Sequence, residues 1–135
     1  PYADLEVAQE RLAGFLGDFT ERRGIWWVFE EQGSQAALGY GGLFDIAHEH
    51  SKAEIGYGLL QPHWGRGYAS EAISTLVAFG FETLELHRIY GQVDPRNTAS
   101  ARVLERLGFE LEGTLRDDMF ARGRYFDTNL FARVR

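Results

Sequence analysis

Two glycines, Gly65 and Gly67, stand one residue apart where a strand-like segment gives way to a helix-like one, within QPHWGRGYASEA at residues 61–72. Such a junction gathers free backbone N–H groups and the positive end of a helix dipole in one place, which favours an anion such as phosphate. Glycine lets the anion reach the backbone, and Arg66 adds a positive charge. The pattern predicts a phosphate-binding loop, although so short a pattern is as typical of a simple turn.

Two familiar phosphate-binding loops do not fit this segment. The chain contains no G-x-x-x-x-G-K-[ST] motif, which argues against a P-loop NTPase. The pair Gly65 and Gly67 also lacks the third glycine of the dinucleotide-binding fingerprint. A phosphate held by this loop therefore belongs to a ligand of another class.

Size and composition describe one globular domain. The chain has 135 residues, of which 44% are hydrophobic and 14% aromatic, enough to bury a core. It contains no cysteine, which excludes a disulfide framework and a thiolate metal site, and we predict a cytoplasmic location. The net charge of −6 argues against nucleic acid as a partner, because phosphate backbones require clustered Lys and Arg. No apolar run approaches the ~20 residues that span a bilayer, and no signal peptide is recognisable, so we predict no membrane partner.

Hydrophobic spacing and turn residues predict the elements that would position the loop. In chain order these are a helix over residues 4–23, strands over 25–30 and 35–44 joined by a turn at 31–34, a polar loop over 45–52, a strand over 53–60, a helix over 68–85, a strand over 88–93, a helix over 98–107, and strands over 109–120 and 125–134. Gly56 and Gly58 predict a bulge or a close backbone approach in the third strand. The strand–helix–strand unit over 53–93 should be parallel, which places a ligand at the carboxyl ends of its strands, near residues 60–67.

Four motifs in a fixed order resemble one family. They are W-G-x-G-Y-A-x-E-A at 64–72, R-N-x-x-S at 96–100, L-G-F at 107–109 and E-G-x-x-R at 112–116. From about residue 25 to its end the chain resembles the GNAT superfamily of acyl-CoA-dependent N-acyltransferases, and within it the RimJ and RimL branch of ribosomal-protein N-terminal acetyltransferases. The resemblance implies one α/β (α+β) domain over residues 1–135, with a mixed, partly splayed β-sheet flanked by helices. The family's first strand and the start of its first helix are not found after Pro1, so we expect an N-terminal truncation.

The resemblance also implies acetyl-CoA as the acyl donor. In the family the glycine loop cradles the pyrophosphate of coenzyme A, and the preceding strand pairs with the pantetheine arm. Carried onto this chain, the cofactor-binding residues of the strand end, loop and helix start are Leu59, Leu60, Gln61, Trp64, Gly65, Arg66, Gly67, Tyr68 and Ala69. Pro62 departs from the pattern, since a Gln or Arg often stands three residues before the first glycine.

Asn97 and Ser100 form a second candidate cluster. The resemblance implies that Asn97 contacts the pantetheine arm and that Ser100 points at the coenzyme A sulfur, where it could protonate the departing thiolate. The alternative is structural, with Asn97 as a helix N-cap and Ser100 in the first turn. Tyrosine is the common acid elsewhere in the superfamily, but no tyrosine lies in the predicted helix 98–107. That leaves Ser100, or water, as the proton donor.

Glu54 is the first candidate for the general base. An amine attacks a thioester only when it is neutral, and the pKa values of an α-amine, about 7.7–8.0, and of lysine, about 10.4, call for a base. A glutamate on this strand often serves as base in the superfamily, and a solvent-facing strand glutamate is the alternative. Asp117 and Asp118 are further candidates, while the glutamate proposed as base in RimL-like enzymes falls on Met119 here. We predict no metal site.

The predicted function is therefore acetyl-CoA-dependent N-acetylation of a primary amine, with a protein or peptide N-terminal α-amine as the first acceptor. Two alternatives stay open. One is acetylation of a small amine such as a polyamine, an aminoglycoside or an amino acid. The other is an acyl-CoA-binding protein without turnover. The resemblance is also compatible with a homodimer.

Overall fold

The computed structural model describes residues 24–30, 37–59 and 68–135. The predicted helix over residues 4–23, the predicted turn at 31–34 and most of the glycine loop, residues 60–67, lie outside the described residues. Within the described residues every predicted strand and both later helices are confirmed, with changes at several ends.

The six strands form one mixed sheet in the order β1-β2-β3-β4-β6-β5. The strands are β1 (Ile25–Glu30), β2 (Ala37–Ala47), β3 (Lys52–Leu59), β4 (Arg88–Val93), β5 (Glu110–Ala121) and β6 (Arg124–Val134). Neighbouring strands are antiparallel except β3 and β4, which are parallel as the crossover rule predicts. The mixed sheet predicted from the sequence is therefore confirmed.

Two helices connect strands of the sheet, one between β3 and β4 and one between β4 and β5. The first, α1 (Tyr68–Ala78), continues as a π-helical turn over Phe79–Thr83, and the second, α2, covers Thr98–Arg106. The prediction of one regular helix over 68–85 is wrong in its last part. In the π turn Gly80 lies so close to the sheet that a Cβ there would be 2.8 Å from Ile89 Cδ1, so a larger residue would require the Ile89 side chain to shift.

The polar loop predicted over residues 45–52 is largely wrong, because β2 runs on to Ala47 and only a short 3-10 turn, His48–His50, separates it from β3. Ile46 is buried and draws this segment onto the core. The register shifts between Phe44 and Ala47, and Asp45 inside this bulge has a φ of 51°.

The bulge expected at Gly56 and Gly58 is also wrong, because β3 pairs with β2 without a break from Glu54 to Leu59. The close approach predicted there is confirmed. A Cβ on Gly56 would lie 2.9 Å from the Phe44 ring, and one on Gly58 would lie 3.0 Å from the Tyr40 ring. The glycines admit aromatic rings from the neighbouring strand instead of marking an irregular strand.

The core lies between one face of the sheet and the two helices. Its largest fully buried side chains are Trp27, Leu43, Ile73, Leu76, Ile89 and Leu104. β5, in contrast, is exposed along all of its residues. No helix in the described part of the chain is long and apolar enough to cross a membrane.

Candidate active site

The sheet splits between β3 and β4. Their parallel pairing covers only Lys52–Glu54 against Arg88–Tyr90. Beyond it, β3 continues beside β2 as far as Leu59, and β4 continues beside β6 as far as Val93. The two strands therefore separate after Glu54, which confirms the partly splayed sheet and opens a gap at their carboxyl ends. We call this gap the split.

The split exposes backbone as well as side chains. From Ile55 to Leu59 the edge of β3 that faces β4 has no strand partner among the described residues. Its N–H and C=O groups can therefore bind an extended ligand, because backbone polar groups require partners. Leu59 ends β3, and Tyr68 and Ala69 begin α1, so the predicted cofactor-binding loop connects a strand end to a helix start. Its other predicted residues, Leu60, Gln61, Trp64, Gly65, Arg66 and Gly67, lie outside the described residues.

On the helix side of the split, Tyr57 and Ser100 form a hydroxyl pair. The Tyr57 Oη and Ser100 Oγ atoms are 2.6 Å apart, and either can be the donor. The Tyr57 hydroxyl also lies 3.2 Å from the Ser100 carbonyl oxygen, to which it can donate. Burial raises the pKa of Tyr57 above its ordinary value, and the hydrogen bond with Ser100 opposes this rise. The phenol is therefore protonated at neutral pH.

Asn97 fixes the backbone of the same serine. Its side-chain Oδ1 accepts a hydrogen bond of 3.1 Å from the Ser100 N–H, so Asn97 is the N-cap of α2 and Ser100 lies in the first turn. The structural alternative considered for these two residues is thus confirmed. It does not compete with a role in the reaction, because the cap occupies the Ser100 N–H and leaves its hydroxyl to Tyr57.

Glu54 lies on the other side of the split, on the face of the sheet that points away from the helices. Side chains alternate along a regular strand, so Glu54 projects away from the face on which Ile55 and Tyr57 meet the helices. Burial raises the pKa of Glu54 above 4.5, and the negative charge of Asp45 raises it further. A hydrogen bond of 3.4 Å from Gln92 Nε2 to Glu54 Oε1 acts in the other direction. The side chain has the character of a base strengthened by its surroundings.

The structure brings Glu54 and Ser100 to the two sides of one gap, and it does not bring Asp117 or Asp118 there. Both aspartates lie in a bulge of β5, and β6 separates that strand from β4 by about 10 Å of sheet spacing. The Asp117 N–H donates to Asp127 Oδ1 at 3.0 Å, and its φ is 49°.

Sequence reasoning missed two residues, Tyr57 and Asp45. The signal for Tyr57 was present, because period-two alternation places a tyrosine three residues after Glu54 on the other face of the strand. The expectation drawn from the family concerned a tyrosine in the helix over 98–107, whereas Tyr57 lies on a strand. Asp45 had no local signal, since it reaches the vicinity of Glu54 only through the bulge in β2.

A cavity of about 410 Å³ opens at the carboxyl end of β4, against the β5–β6 hairpin. It is lined by Gln92, Val93, Asp94, Arg96, Met119, Ala121, Arg122, Phe126, Asp127 and Thr128. The Arg96 guanidinium lies 4.2 Å from the centre of the Phe126 ring and also bonds Asp94 at 2.7 Å. Gln92, which lines this cavity, also donates to Glu54, so the cavity adjoins the carboxylate side of the split.

The described residues contain no group of three or more His, Cys, Asp or Glu side chains that could hold a metal ion. His48, Glu49 and His50 form the 3-10 turn between β2 and β3.

Comparisons with known proteins agree with this geometry. Residues 1–110 match the family described as Acetyltransferase (GNAT) domain. The chain is 44% identical over 135 residues to the protein of Bacillus licheniformis named Uncharacterized N-acetyltransferase p20, which covers 100% of this chain and 76% of that protein. It is 30% identical over 127 residues to spermidine N(1)-acetyltransferase of Vibrio cholerae, covering 94% of this chain and 71% of that protein. Among solved structures, spermidine N-acetyltransferase from Vibrio cholerae in complex with CoA and spermine superimposes with a TM-score of 0.81 at 27% identity, over 93% of this chain and 72% of that one.

Proposed function

The chain belongs to the acetyltransferase (GNAT) family, and from that premise we propose that it transfers the acetyl group of acetyl-CoA to a primary amine of a small polyamine. Acetyl transfer from acetyl-CoA to an amine is the chemistry of the family.

One observation carries the acceptor class, namely that Glu54 lies within the electrostatic reach of a second carboxylate, Asp45. Two carboxylates attract a molecule with several positive charges and favour it over an uncharged one. The net charge of −6 attracts such a molecule to the protein as a whole. The spermidine acetyltransferases to which the chain is similar are named for acceptors of this kind.

Glu54 is the general base of the proposal. A primary alkylamine has a pKa near that of lysine, about 10.4, so nearly all of it is protonated at neutral pH. Burial and the charge of Asp45 both raise the pKa of Glu54, which makes its carboxylate a better proton acceptor. Glu54 takes a proton from the bound ammonium, directly or through water, and the neutral amine can then attack.

On the other side, Ser100 gives its hydroxyl proton to the sulfur of the departing thiolate. Acetyl-CoA supplies the activated acetyl group. We assign its binding to the free edge of β3 ending at Leu59, to Asn97 and Ser100 of α2, and to the loop residues Leu60, Gln61, Trp64, Gly65, Arg66 and Gly67 with Tyr68 and Ala69. The free strand edge fits an extended arm with amide groups, because its own N–H and C=O groups are open toward the gap.

A protein N-terminal α-amine is the second candidate acceptor. The R-N-x-x-S and E-G-x-x-R segments favour it, since these are motifs shared with the RimJ and RimL branch. The cavity beside Gln92 is large enough, at about 410 Å³, to take the first residues of a peptide.

The deciding experiment measures coenzyme A thiol release from acetyl-CoA with a panel of acceptors. The panel contains spermidine, spermine, a monoamine of matched chain length, an aminoglycoside, free amino acids and peptides with varied first residues. We expect saturable release with the polyamines and a kcat/KM for the monoamine at least tenfold lower, because it lacks the second charge.

Other outcomes have definite meanings. Release with peptides alone, following their first two residues, would replace the proposal with N-terminal acetylation. If none of the acceptors gives thiol release, while acetyl-CoA binds tightly in calorimetry, the protein binds acyl-CoA without transferring its acetyl group to any of these amines.

A further inference from the structure

We propose that Tyr57 is the positioning residue of the helix side of the split, and that its phenol holds the Ser100 hydroxyl so that the serine proton points toward the sulfur of coenzyme A. The inference rests on the proposed role of Ser100. It goes beyond that role in naming the group that orients the serine and replaces its proton.

The contact joins two elements that are distant in the chain. Tyr57 lies on β3 beyond the last β3–β4 pair, and Ser100 lies in the first turn of α2, yet their hydroxyl oxygens are 2.6 Å apart. The pair is partly buried, so water competes weakly for the hydrogen bond. The Tyr57 backbone pairs with Gly41 of β2, and the Ser100 N–H is held by Asn97. Both partners are therefore fixed before any ligand binds.

Two hydrogen-bond arrangements are compatible with these distances. If Tyr57 donates to the Ser100 carbonyl oxygen at 3.2 Å, the serine hydroxyl donates to Tyr57 Oη and has no proton for the split. If Tyr57 donates to Ser100 Oγ, the serine proton is released toward the split. A sulfur that accepts a hydrogen bond there favours the second arrangement. Ligand binding would then switch the donor within the pair.

The proton count shows why a serine requires this partner. A thiol has a pKa of about 8.5 and a phenol of about 10, whereas an aliphatic alcohol is a far weaker acid. When the Ser100 O–H bond breaks and an S–H bond forms, the Tyr57 O–H bond breaks and a new Ser100 O–H bond forms. The negative charge that leaves the sulfur ends on the phenol oxygen, which recovers a proton from solvent. Since burial favours the neutral phenol, Tyr57 is protonated when each cycle begins.

The test titrates the thiol of coenzyme A bound to the enzyme, by its thiolate absorbance, and requires no amine acceptor. The variants are Tyr57→Phe, which keeps the ring, Ser100→Ala, and Tyr40→Phe as a matched control. Tyr40 is exposed, and its ring packs beside Trp26 at a centroid distance of 6.2 Å. We expect the pKa of the bound thiol to be higher in Tyr57→Phe and Ser100→Ala than in the wild type and in Tyr40→Phe, because a donor to the thiolate has been lost or misdirected.

Turnover adds a second readout with whichever acceptor the panel identifies. Tyr57→Phe should lower kcat by a factor on the order of 10² with the acetyl-CoA dissociation constant unchanged, and the double variant should be no slower than Ser100→Ala. A bound-thiol pKa that rises in Ser100→Ala but stays at the wild-type value in Tyr57→Phe would overturn the inference. So would multiplicative losses in the double variant. Failure of every polyamine to react would refute the proposed acceptor, while the titration would still decide the role of Tyr57.

Discussion

Glu54, on which the charge of Asp45 acts, lies on one side of the split between β3 and β4, and two hydroxyls, Tyr57 and Ser100, lie on the other. Burial raises the pKa of both Glu54 and Tyr57. For the carboxylate the rise strengthens a proton acceptor, and for the phenol it preserves a proton donor. Burial therefore favours a proton acceptor on one side of the split and a proton donor on the other.

The residues next to Glu54 and Tyr57 increase the chemical difference between the two sides. Asp45 adds a negative charge and raises the pKa of Glu54 further, whereas Ser100 offers Tyr57 a neutral hydrogen bond. The two sides differ also in how they are built. Glu54 is held by strand register, while Ser100 depends on the cap and the packing of a short helix. Variants that change one side at a time should separate these contributions.

The largest effect is expected from Glu54→Gln, which keeps the size of the side chain and removes the base. We expect kcat to fall on the order of 10³-fold, equivalent to about 4 kcal/mol, while acetyl-CoA binds as before. Steady-state kinetics and calorimetry measure the two quantities. Glu49→Gln is the matched control, because the Glu49 side chain is 73% exposed in the 3-10 turn. Normal turnover in Glu54→Gln would remove Glu54 from the mechanism.

Leu104→Ala tests how far the Tyr57–Ser100 side of the split depends on the packing of α2 against the sheet. Leu104 is 1% exposed and anchors α2 against the sheet, so its truncation should lower the free energy of unfolding by about 3 kcal/mol. Leu111→Ala is the control, since Leu111 is 55% exposed on β5 and its loss should change that free energy by less than about 0.5 kcal/mol. Urea denaturation measures both. Equal losses in the two variants would contradict the core described for α2.

Asn97→Ala removes the N-cap of α2 without touching the Ser100 hydroxyl. We expect a loss of about 1 kcal/mol in the free energy of unfolding, because the Ser100 N–H loses its acceptor. Asn97→Asp should restore most of this stability, since a carboxylate caps as well as an amide. The affinity for acetyl-CoA is measured in both variants. If acetyl-CoA binds weakly to both although Asn97→Asp restores stability, Asn97 also contacts the ligand, which is the role implied by the family resemblance.

Asp45→Asn should have the smallest effect and acts only on the carboxylate side. Turnover requires ionised Glu54, so activity rises with pH through the pKa of Glu54, which lies above 4.5. Removal of the Asp45 charge lowers that pKa, and the acidic limb of the kcat profile should move to lower pH. Asparagine tolerates the positive φ of 51° at this position, so the bulge should persist. An acidic limb that stays in place would mean that Asp45 does not act on the catalytic carboxylate.

Much of the fold was predictable because the signals were local. Alternating and helical periods located the strands and both described helices, and they placed Asn97 at the start of α2 as its cap. The hairpin of β5 and β6 was predictable from its turn, where Arg122 and Gly123 have positive φ. The full exposure of β5 was not predictable, since its apolar residues resemble those of a buried strand.

The sequence by itself determined the glycine loop, the family resemblance and the candidate residues Glu54 and Ser100, because each depends on neighbours within a few positions. The tertiary structure decided that Glu54 and Ser100 lie on the two sides of one split, that the charge of Asp45 acts on Glu54, and that Tyr57 meets a serine 43 residues away. Such contacts depend on strand order, on register and on a bulge, where a shift of one residue turns a side chain to the other face. The pairing of β3 and β4 ends after three residues, and that ending creates the split.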